Sequence, residues 1–493
     1  MAVEICSAST QGFDLAMTIP EVSLALIYLV VEWTIRLAAL ALVPFRRSPD
    51  SARAWLLLLL FLPIPGLLLY LLIGRPTYPR ARRLRLTQAA KLLHDATGEI
   101  AHSQSCRRPS LPDSFQQAAR LIENLGKFPP LGSNNVELLA DYDGVIDRLV
   151  SDIEAAAHHV HLLMYIFADD ATGQRVMQAL AGAAKRGVTC RVLIDAIGSR
   201  PWARRVERQL SASGVRVAQA LPIAPWRRGS ARADLRNHRK IAIIDGLVGY
   251  VGSQNLVDAE TARGVVNEEL VARLVGPLAV EMQAVFAIDW YMETEEVLSG
   301  PGYFRHHVGP GPVTAQLMPS GPDFGEPGLG PLTVALIHAA RHRVVLTTPY
   351  FIPQAALLQA LRTAVLRGVA VHLIVPFVSD HLFVRLAQQS YYTELLEAGV
   401  QLHIYRDRFI HAKHLSIDEE VTLIGSSNVD VRSFILNAEV TLIAYDPSVT
   451  ADLWLEQQRC IASSDHPTAE RWGKRPLIVK LGENIARMLG PLL

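Results

Sequence analysis

Two short segments of this chain carry the same chemistry at the same spacing. NHRKIAIIDGLVGYVGSQN starts at Asn237, and IHAKHLSIDEEVTLIGSSN starts at Ile410. Each reads His-x-Lys-x4-Asp-x6-Gly-Ser-x-Asn. The first supplies His238, Lys240, Asp245, Ser253 and Asn255; the second supplies His411, Lys413, Asp418, Ser426 and Asn428. Every matched position is displaced by 173 residues, the separation of His238 and His411. The chain has only seven lysines, and two of them fill this slot. Such agreement in register does not arise from composition.

A histidine and a lysine two apart on a strand point to the same face. Each segment therefore offers an imidazole beside an ammonium, and its Gly-Ser-x-Asn tail brings further donors back to the histidine. If the two segments meet, one site holds two imidazoles, two ammoniums and two amides. That set suits a phosphodiester. The lysines and asparagines, with Ser253 and Ser426, would hold the non-bridging oxygens and stabilise transition-state charge. One neutral imidazole can attack phosphorus to form a covalent phosphohistidine. The other can protonate the leaving alcohol and then deprotonate the incoming one. The lysines supply the positive charge, so no metal or other cofactor is expected. His158, His159 and His161 resemble metal ligands but are read as flanking a sheet on alternating faces. Asp169-Asp170 reads as a loop or helix cap.

An imidazole used this way needs a carboxylate on its other nitrogen. Glu439 follows His411 by 28 residues, while Glu268 and Glu269 follow His238 by 30 and 31. Glu269 is preferred because EELVARL places it at a strand start. The expected pairs are thus Glu439 with His411 and Glu269 with His238. Asp245 and Asp418 are equally suited to catalysis and to stabilising the turns in which they stand.

The elements that must position these residues also repeat. In the first half, the strand candidate HHVHLLMYIF (158–167) is followed by a helical stretch and the strand VTCRVLID (188–195). In the second, RHRVVLTTPYF (341–351) is followed by a helical stretch and VAVHLIVP (369–376). Both helices end in Arg-Gly-Val, with Gly187 and Gly368 placed to cap them. The expected class is α/β, with two halves related by a pseudo-twofold, each a sheet flanked by helices. The halves are read as 114–299 and 313–493, joined by the Pro/Gly-rich stretch 300–312.

Ahead of them stand an N-terminal tail (1–21), two apolar runs within 22–73 and a basic linker (74–113). Val22–Val43 is long enough to span a bilayer, and Trp55–Ile73 is long enough with little tilt. Together they read as a transmembrane hairpin kinked at Pro63, Pro65 and Gly66, with Trp55 and Tyr70 anchoring at the two interfaces. Glu32 and Arg36 are i,i+4 neighbours that can pair there or against the second helix. Arg75, Arg80, Arg82, Arg83 and Arg85 outnumber Arg46, Arg47 and Arg53, which places the large body in the cytoplasm. LIVKLGENIARMLGPLL at the C-terminus reads either as an amphipathic helix on the bilayer or as a core-packing helix.

Composition narrows the remaining classes. The chain is 493 residues, 50% hydrophobic and 19% charged, which excludes disorder for most of it. A net charge of +1 gives no general electrostatic case for a nucleic-acid partner. The four cysteines have neither disulfide nor zinc spacing and read as reduced thiols.

The duplicated motif resembles the phospholipase D superfamily and, within it, the bacterial cardiolipin synthases. The segments SSNVDVRSFILNAE (426–439) and DWYMETEE (289–296), the paired apolar runs and the apolar C-terminus carry the second likeness. The resemblance implies transfer of a phosphatidyl group between two phosphatidylglycerol molecules, giving cardiolipin and glycerol at the inner membrane. It implies His238, Lys240, Asp245, His411, Lys413 and Asp418 as active-site residues, with His238 as nucleophile and His411 as acid and base. A membrane-bound phospholipase D that hydrolyses phospholipid to phosphatidic acid stays open, because both reactions pass through the same intermediate. Oligomeric state is not legible.

Overall fold

The computed structural model describes residues 21–47, 49–74, 82–89, 111, 113–222, 234–260, 264–300, 302–304, 311–322 and 328–489. The joints expected at 74–113 and 300–312 lie largely outside this set. The chain divides into two compact units, Met1–Arg75 and Pro76–Leu493.

In the first unit, the helix Glu21–Leu42 contains a 19-residue span, Leu24–Leu42, long and apolar enough to cross a membrane. Its Arg36 pairs with Glu32 at 3.1 Å and donates from Nε to the Leu60 carbonyl at 3.1 Å. The second apolar run departs from the expected kinked span. It forms two helices, Pro49–Phe61 and Pro63–Ile73, which turn at Leu62 and lie back against each other. Pro63 and Pro65 cannot donate to the carbonyls of Leu59 and Phe61, so a continuous helix would lose two backbone bonds within one turn. Gly66 permits the close return, since a Cβ there would stand 3.2 Å from the Leu58 carbonyl oxygen. Trp55 and Tyr70 consequently meet edge to face with ring centroids 5.2 Å apart. They do not mark opposite interfaces. At 13 and 11 residues the two helices are about 20 and 17 Å long, short of a bilayer core of about 30 Å.

The second unit is built on a 15-stranded mixed sheet. The first half supplies β1 (Leu131–Leu139), β2 (His159–Met164), β3 (Thr189–Asp195), β4 (Arg216–Ala220), β5 (Ile241–Ile244), β6 (Val248–Gly252), β7 (Asn267–Glu268) and β8 (Val271–Val275). The second supplies β9 (Val313–Ser320), β10 (Arg343–Thr347), β11 (Ala370–Pro376), β12 (Gln401–Tyr405), β13 (Phe409–Ile410), β14 (His414–Ile417), β15 (Val421–Gly425), β16 (Glu439–Ala444) and β17 (Ser464–Asp465). From the centre outward one half runs β1-β8-β6-β5-β2-β3-β4 and the other β9-β16-β15-β14-β10-β11-β12, with β17 beyond. The duplication read from the motifs is therefore a duplication of the sheet, and the pseudo-twofold passes between β1 and β9. The sheet is continuous there. Leu131 pairs with Ala315 and Asn134 with Val313 across an irregular register. The buried Asn134 amide donates to Leu131, Gly132 and Val313 carbonyls, and its oxygen accepts from Leu278 N.

Apolar residues on the strands explain the layers. Val160, Leu162 and Val192 face helices Tyr142–Ala155 and Ala171–Lys185 on the outer side of the first half. Val344, Leu373 and Leu415 face helices Leu329–Ala339 and Ala355–Leu366 in the second. Phe115, Ala118 and Ile122, on helix Asp113–Gly126, are buried in that second-half core. At the centre, Ile241, Val251 and Ala272 share one cluster with Ala412, Ile424 and Val440 of the other half. The Arg-Gly-Val steps do cap their helices: Gly187 and Gly368 take φ of 91° and 87°. The following Val188 and Val369 donate back to Ala183 and Ala364. Asp170 caps helix Ala171–Lys185 by accepting from Gly173 N. Cys190 and Cys460 are buried free thiols.

Candidate active site

The repeated motifs converge on one cleft. His238 and Lys240 lie just before β5, and His411 and Lys413 just before β14. Each histidine is held by the other half. Asn237 bridges to Ala438 just before β16, and His238 N donates to the Ala438 carbonyl at 2.8 Å. Reciprocally, β13 pairs in parallel with β7, and His411 N donates to the Glu268 carbonyl at 2.8 Å. This exchange of backbone ladders decides the carboxylate partners. His238 Nδ1 meets both Glu439 oxygens at 3.0 Å, and His411 Nδ1 meets Glu269 Oε1 at 2.6 Å. Glu439 and Glu269 are thus the carboxylates behind the imidazoles, but the expected same-half pairing is wrong. Spacing along the chain could not show the crossing, because it comes from strand exchange at the twofold. Glu268 instead binds Arg459 and Arg408.

With Nδ1 donating to a carboxylate, each ring presents Nε2 toward the cleft as a free lone pair. Burial pushes His238 down to about 4 despite the opposing pull of Glu439, and lowers His411 likewise against Glu269. Both imidazoles are thus neutral at neutral pH. Burial also lowers Lys240 to about 7 and Lys413 to about 8, partly offset by the two glutamates. For Glu439 and Glu269, burial alone would raise the carboxyls. The histidine contacts, the lysine charges and the serine hydroxyls together outweigh it, so both lie below the ordinary range and remain ionised.

Several expected roles change. Neither lysine lines the cleft: Lys240 Nζ donates to the His238 carbonyl at 2.7 Å, and Lys413 Nζ to that of His411. Each ammonium is buried against the backbone carbonyl of its own histidine. Ser253 and Ser426 do not line the cleft either. Ser426 Oγ donates to Glu439 and accepts from Val440 N, while Ser253 Oγ accepts from Leu270 N and bonds Glu269. They orient the carboxylates. Asn255 and Asn428 do line the cleft, with Asn255 Oδ1 also accepting from Ile166 N.

Asp245 and Asp418 are not at the reacting groups. Asp245 accepts from the backbone N–H groups of Ala157, His158 and His159 at 2.7–2.8 Å. Asp418 accepts from Arg341, His342 and Arg343 in the same way. Each clamps the start of the adjacent strand, β2 or β10, to the turn after β5 or β14. Both take positive φ, 55° and 53°. Tight-turn duty, not proton transfer, explains the third letter of the motif here.

His159 and His161 sit on the same face of β2, 4.6 Å apart, with His161 stacked on Phe286; they do not alternate. Residues two apart on a strand share a face, and His158 is the one outside it.

The cleft has a volume of about 550 Å³. Besides the histidines and asparagines it is lined by Tyr165, Arg236, Tyr350, Asp430, Arg432 and Asn437, among others. Sequence reasoning missed these. Tyr165 and Tyr350 had a usable signal, since each ends or follows a strand that runs parallel to its neighbour, where α/β sites open. Tyr165 packs edge-on against His238 at 4.7 Å. Arg239, an unassigned position inside the first motif, is fully buried and grips Asp289 at 2.6 Å and the Glu439 carbonyl at 3.0 Å. It ties the His238 segment to helix Leu278–Thr294 and to the strand that carries Glu439.

Two imidazoles lining one cleft, each backed by a buried carboxylate and with an ammonium on its own backbone carbonyl, suit covalent phosphoryl chemistry. The profile of the family described as "Cardiolipin synthase, PLD-like domain" matches residues 149–290 and 333–460, and a phospholipase D-nuclease N-terminal profile matches 25–75. Cardiolipin synthase A of Yersinia pseudotuberculosis is 35% identical over 463 residues, covering 91% of this chain and 94% of the relative. The same protein of Yersinia pestis matches equally. The chain belongs to the cardiolipin synthase family. Among solved structures, phosphatidylserine synthase from Haemophilus influenzae Rd KW20 shares the fold at a TM-score of 0.59, covering 76% of this chain and 99% of its own. At 16% identity that likeness speaks to fold alone. Both halves of the family profile fall on the two halves of the sheet, so family membership and internal symmetry mark the same residues.

Proposed function

We propose that this member of the cardiolipin synthase family condenses two phosphatidylglycerol molecules into cardiolipin and glycerol. The observation that carries the reading is the pair of carboxylate-backed imidazoles lining a single cleft. In the first step His238 Nε2 attacks phosphorus. A P–N bond forms, the bond to the headgroup glycerol oxygen breaks, and protonated His411 gives that oxygen its proton. In the second step His411 takes the proton of a primary hydroxyl on another phosphatidylglycerol. That oxygen attacks phosphorus and the P–N bond breaks. The entering anionic phosphodiester favours the imidazolium form of His411, and Lys240 and Lys413 stabilise the charge on the equatorial oxygens. Asn255 and Asn428 are assigned to hold the phosphate. No step calls for a metal or cofactor.

The test is the product. Incubating the purified protein with phosphatidylglycerol should yield cardiolipin and glycerol in equal amounts. Phosphatidic acid as the sole lipid product would replace transfer by hydrolysis.

For the membrane unit, the reading is one crossing at Leu24–Leu42 followed by a pair of helices that enters the bilayer and returns on the same side. Arg46, Arg47 and Arg53 then lie on the same side as Arg75, Arg80, Arg82, Arg83 and Arg85, which makes that side cytoplasmic and puts the catalytic body there. Under this topology the N-terminus is outside the inner membrane, whereas two full crossings would keep it inside. A membrane-impermeant maleimide should label Cys6 in intact spheroplasts, with Cys6→Ser as the unlabelled control. Labelling only after lysis would restore two crossings.

A further inference from the structure

Helices normally turn apolar side chains inward, yet two neighbouring helices here also present several outward. In Leu477–Leu489 the buried positions are Glu483 and Ala486, while Ile478, Leu481, Ile485 and Met488 point outward, Met488 at 67% exposure. Spaced i, i+3, i+7 and i+10, these four form one stripe. Glu483 is tied inside by Arg475 at 3.0 Å. The helix Leu382–Ser390 lies against it; its Val384 and Leu386 pack on the core, while its first turn points apolar side chains outward. Its Ala387 and Gln388 are buried, and Leu382 and Phe383 are exposed at 57% and 60%. Gln388 Oε1 accepts from Phe351 N, between the cleft residues Tyr350 and Ile352. The apolar face therefore continues to the rim of the active site, where Asp380, His381 and Val384 line the cleft. Arg385 stands exposed on the same helix.

We propose that this face docks onto the lipid bilayer and holds the cleft mouth at its surface. The inference rests on the reading that the substrate is a diacyl phospholipid. Such a lipid brings its phosphate to the histidines only if its chains keep an apolar phase, because drawing each CH2 into water is unfavourable. An apolar apron beside the cleft supplies contact with that phase. A second copy of the chain seated on the apron would crowd the rim through which the lipid enters. The C-terminal helix, for which two roles were open from sequence, takes the membrane-facing one.

The test uses the full-length chain in nanodiscs containing phosphatidylglycerol. Leu481→Glu/Ile485→Glu and Leu382→Glu/Phe383→Glu alter outward positions, so the fold should persist by circular dichroism. Turnover of bilayer substrate should fall about tenfold or more, while turnover of monomeric dihexanoyl phosphatidylglycerol stays within about twofold of wild type. Unchanged turnover on bilayers overturns the proposal. An equal loss on both substrates also overturns it, by making the patch structural. If the wild type makes cardiolipin from neither substrate, the functional reading fails, and docking is judged separately. For that, a nitroxide on Ile485→Cys, with Cys6 and Cys106 changed to Ser, should collide with oxygen rather than aqueous nickel chelate; preference for nickel refutes docking.

Discussion

Replacing His238 with asparagine should lower cardiolipin formation by about 10^4-fold or more and abolish any covalent phosphoenzyme. Replacing His411 should do as much to turnover, but with a different signature. A phosphatidyl ester of p-nitrophenol leaves without needing a proton, so His411→Asn should still acquire the phosphatidyl label. It should then retain the label, because no base activates the second alcohol. The label would be alkali-stable, as expected for a phosphohistidine. Label on the His238→Asn protein, or near-normal cardiolipin from either variant, would contradict the assignment.

The second large effect follows from the crossed carboxylates. Glu439→Gln keeps shape and volume but removes the charge that fixes the Nδ1–H tautomer of His238. A comparable change behind the catalytic histidine of a serine protease costs about 10^4-fold, and a loss of about 10^3-fold or more is expected here. The informative readout is which half-reaction fails. Glu439→Gln should block labelling by the activated ester, whereas Glu269→Gln should allow labelling and slow its discharge. The opposite assignment would mean that each glutamate serves the histidine of its own half.

These experiments also mark how far the sequence could be read. The α/β class, the two halves, the paired histidines and the absence of disulfide spacing were all legible, because they depend on local periodicity and on a motif repeated in register. The identities of Glu439 and Glu269 were legible too, since each follows its motif at a similar interval. Their partners were not. That information lies in bridges from Asn237 to Ala438 and from Phe409 to Asn267, and such contacts leave no trace in spacing. Likewise, the motif aspartates and serines look catalytic by type. Only the backbone N–H groups around Asp245, and the carboxylate beside Ser426, reveal that they set geometry for other residues. The folded-back apolar run follows the same lesson: its composition allows a span, and two prolines after Leu62 decide otherwise.

The ladder from β1 to β9 has one further consequence. Because hydrogen-bonded backbone runs unbroken across the pseudo-twofold, the catalytic walls cannot swing apart as jaws without rupturing strands. The floor of the cleft is thus a single piece spanning both halves, so each histidine is held in fixed relation to the other half's sheet.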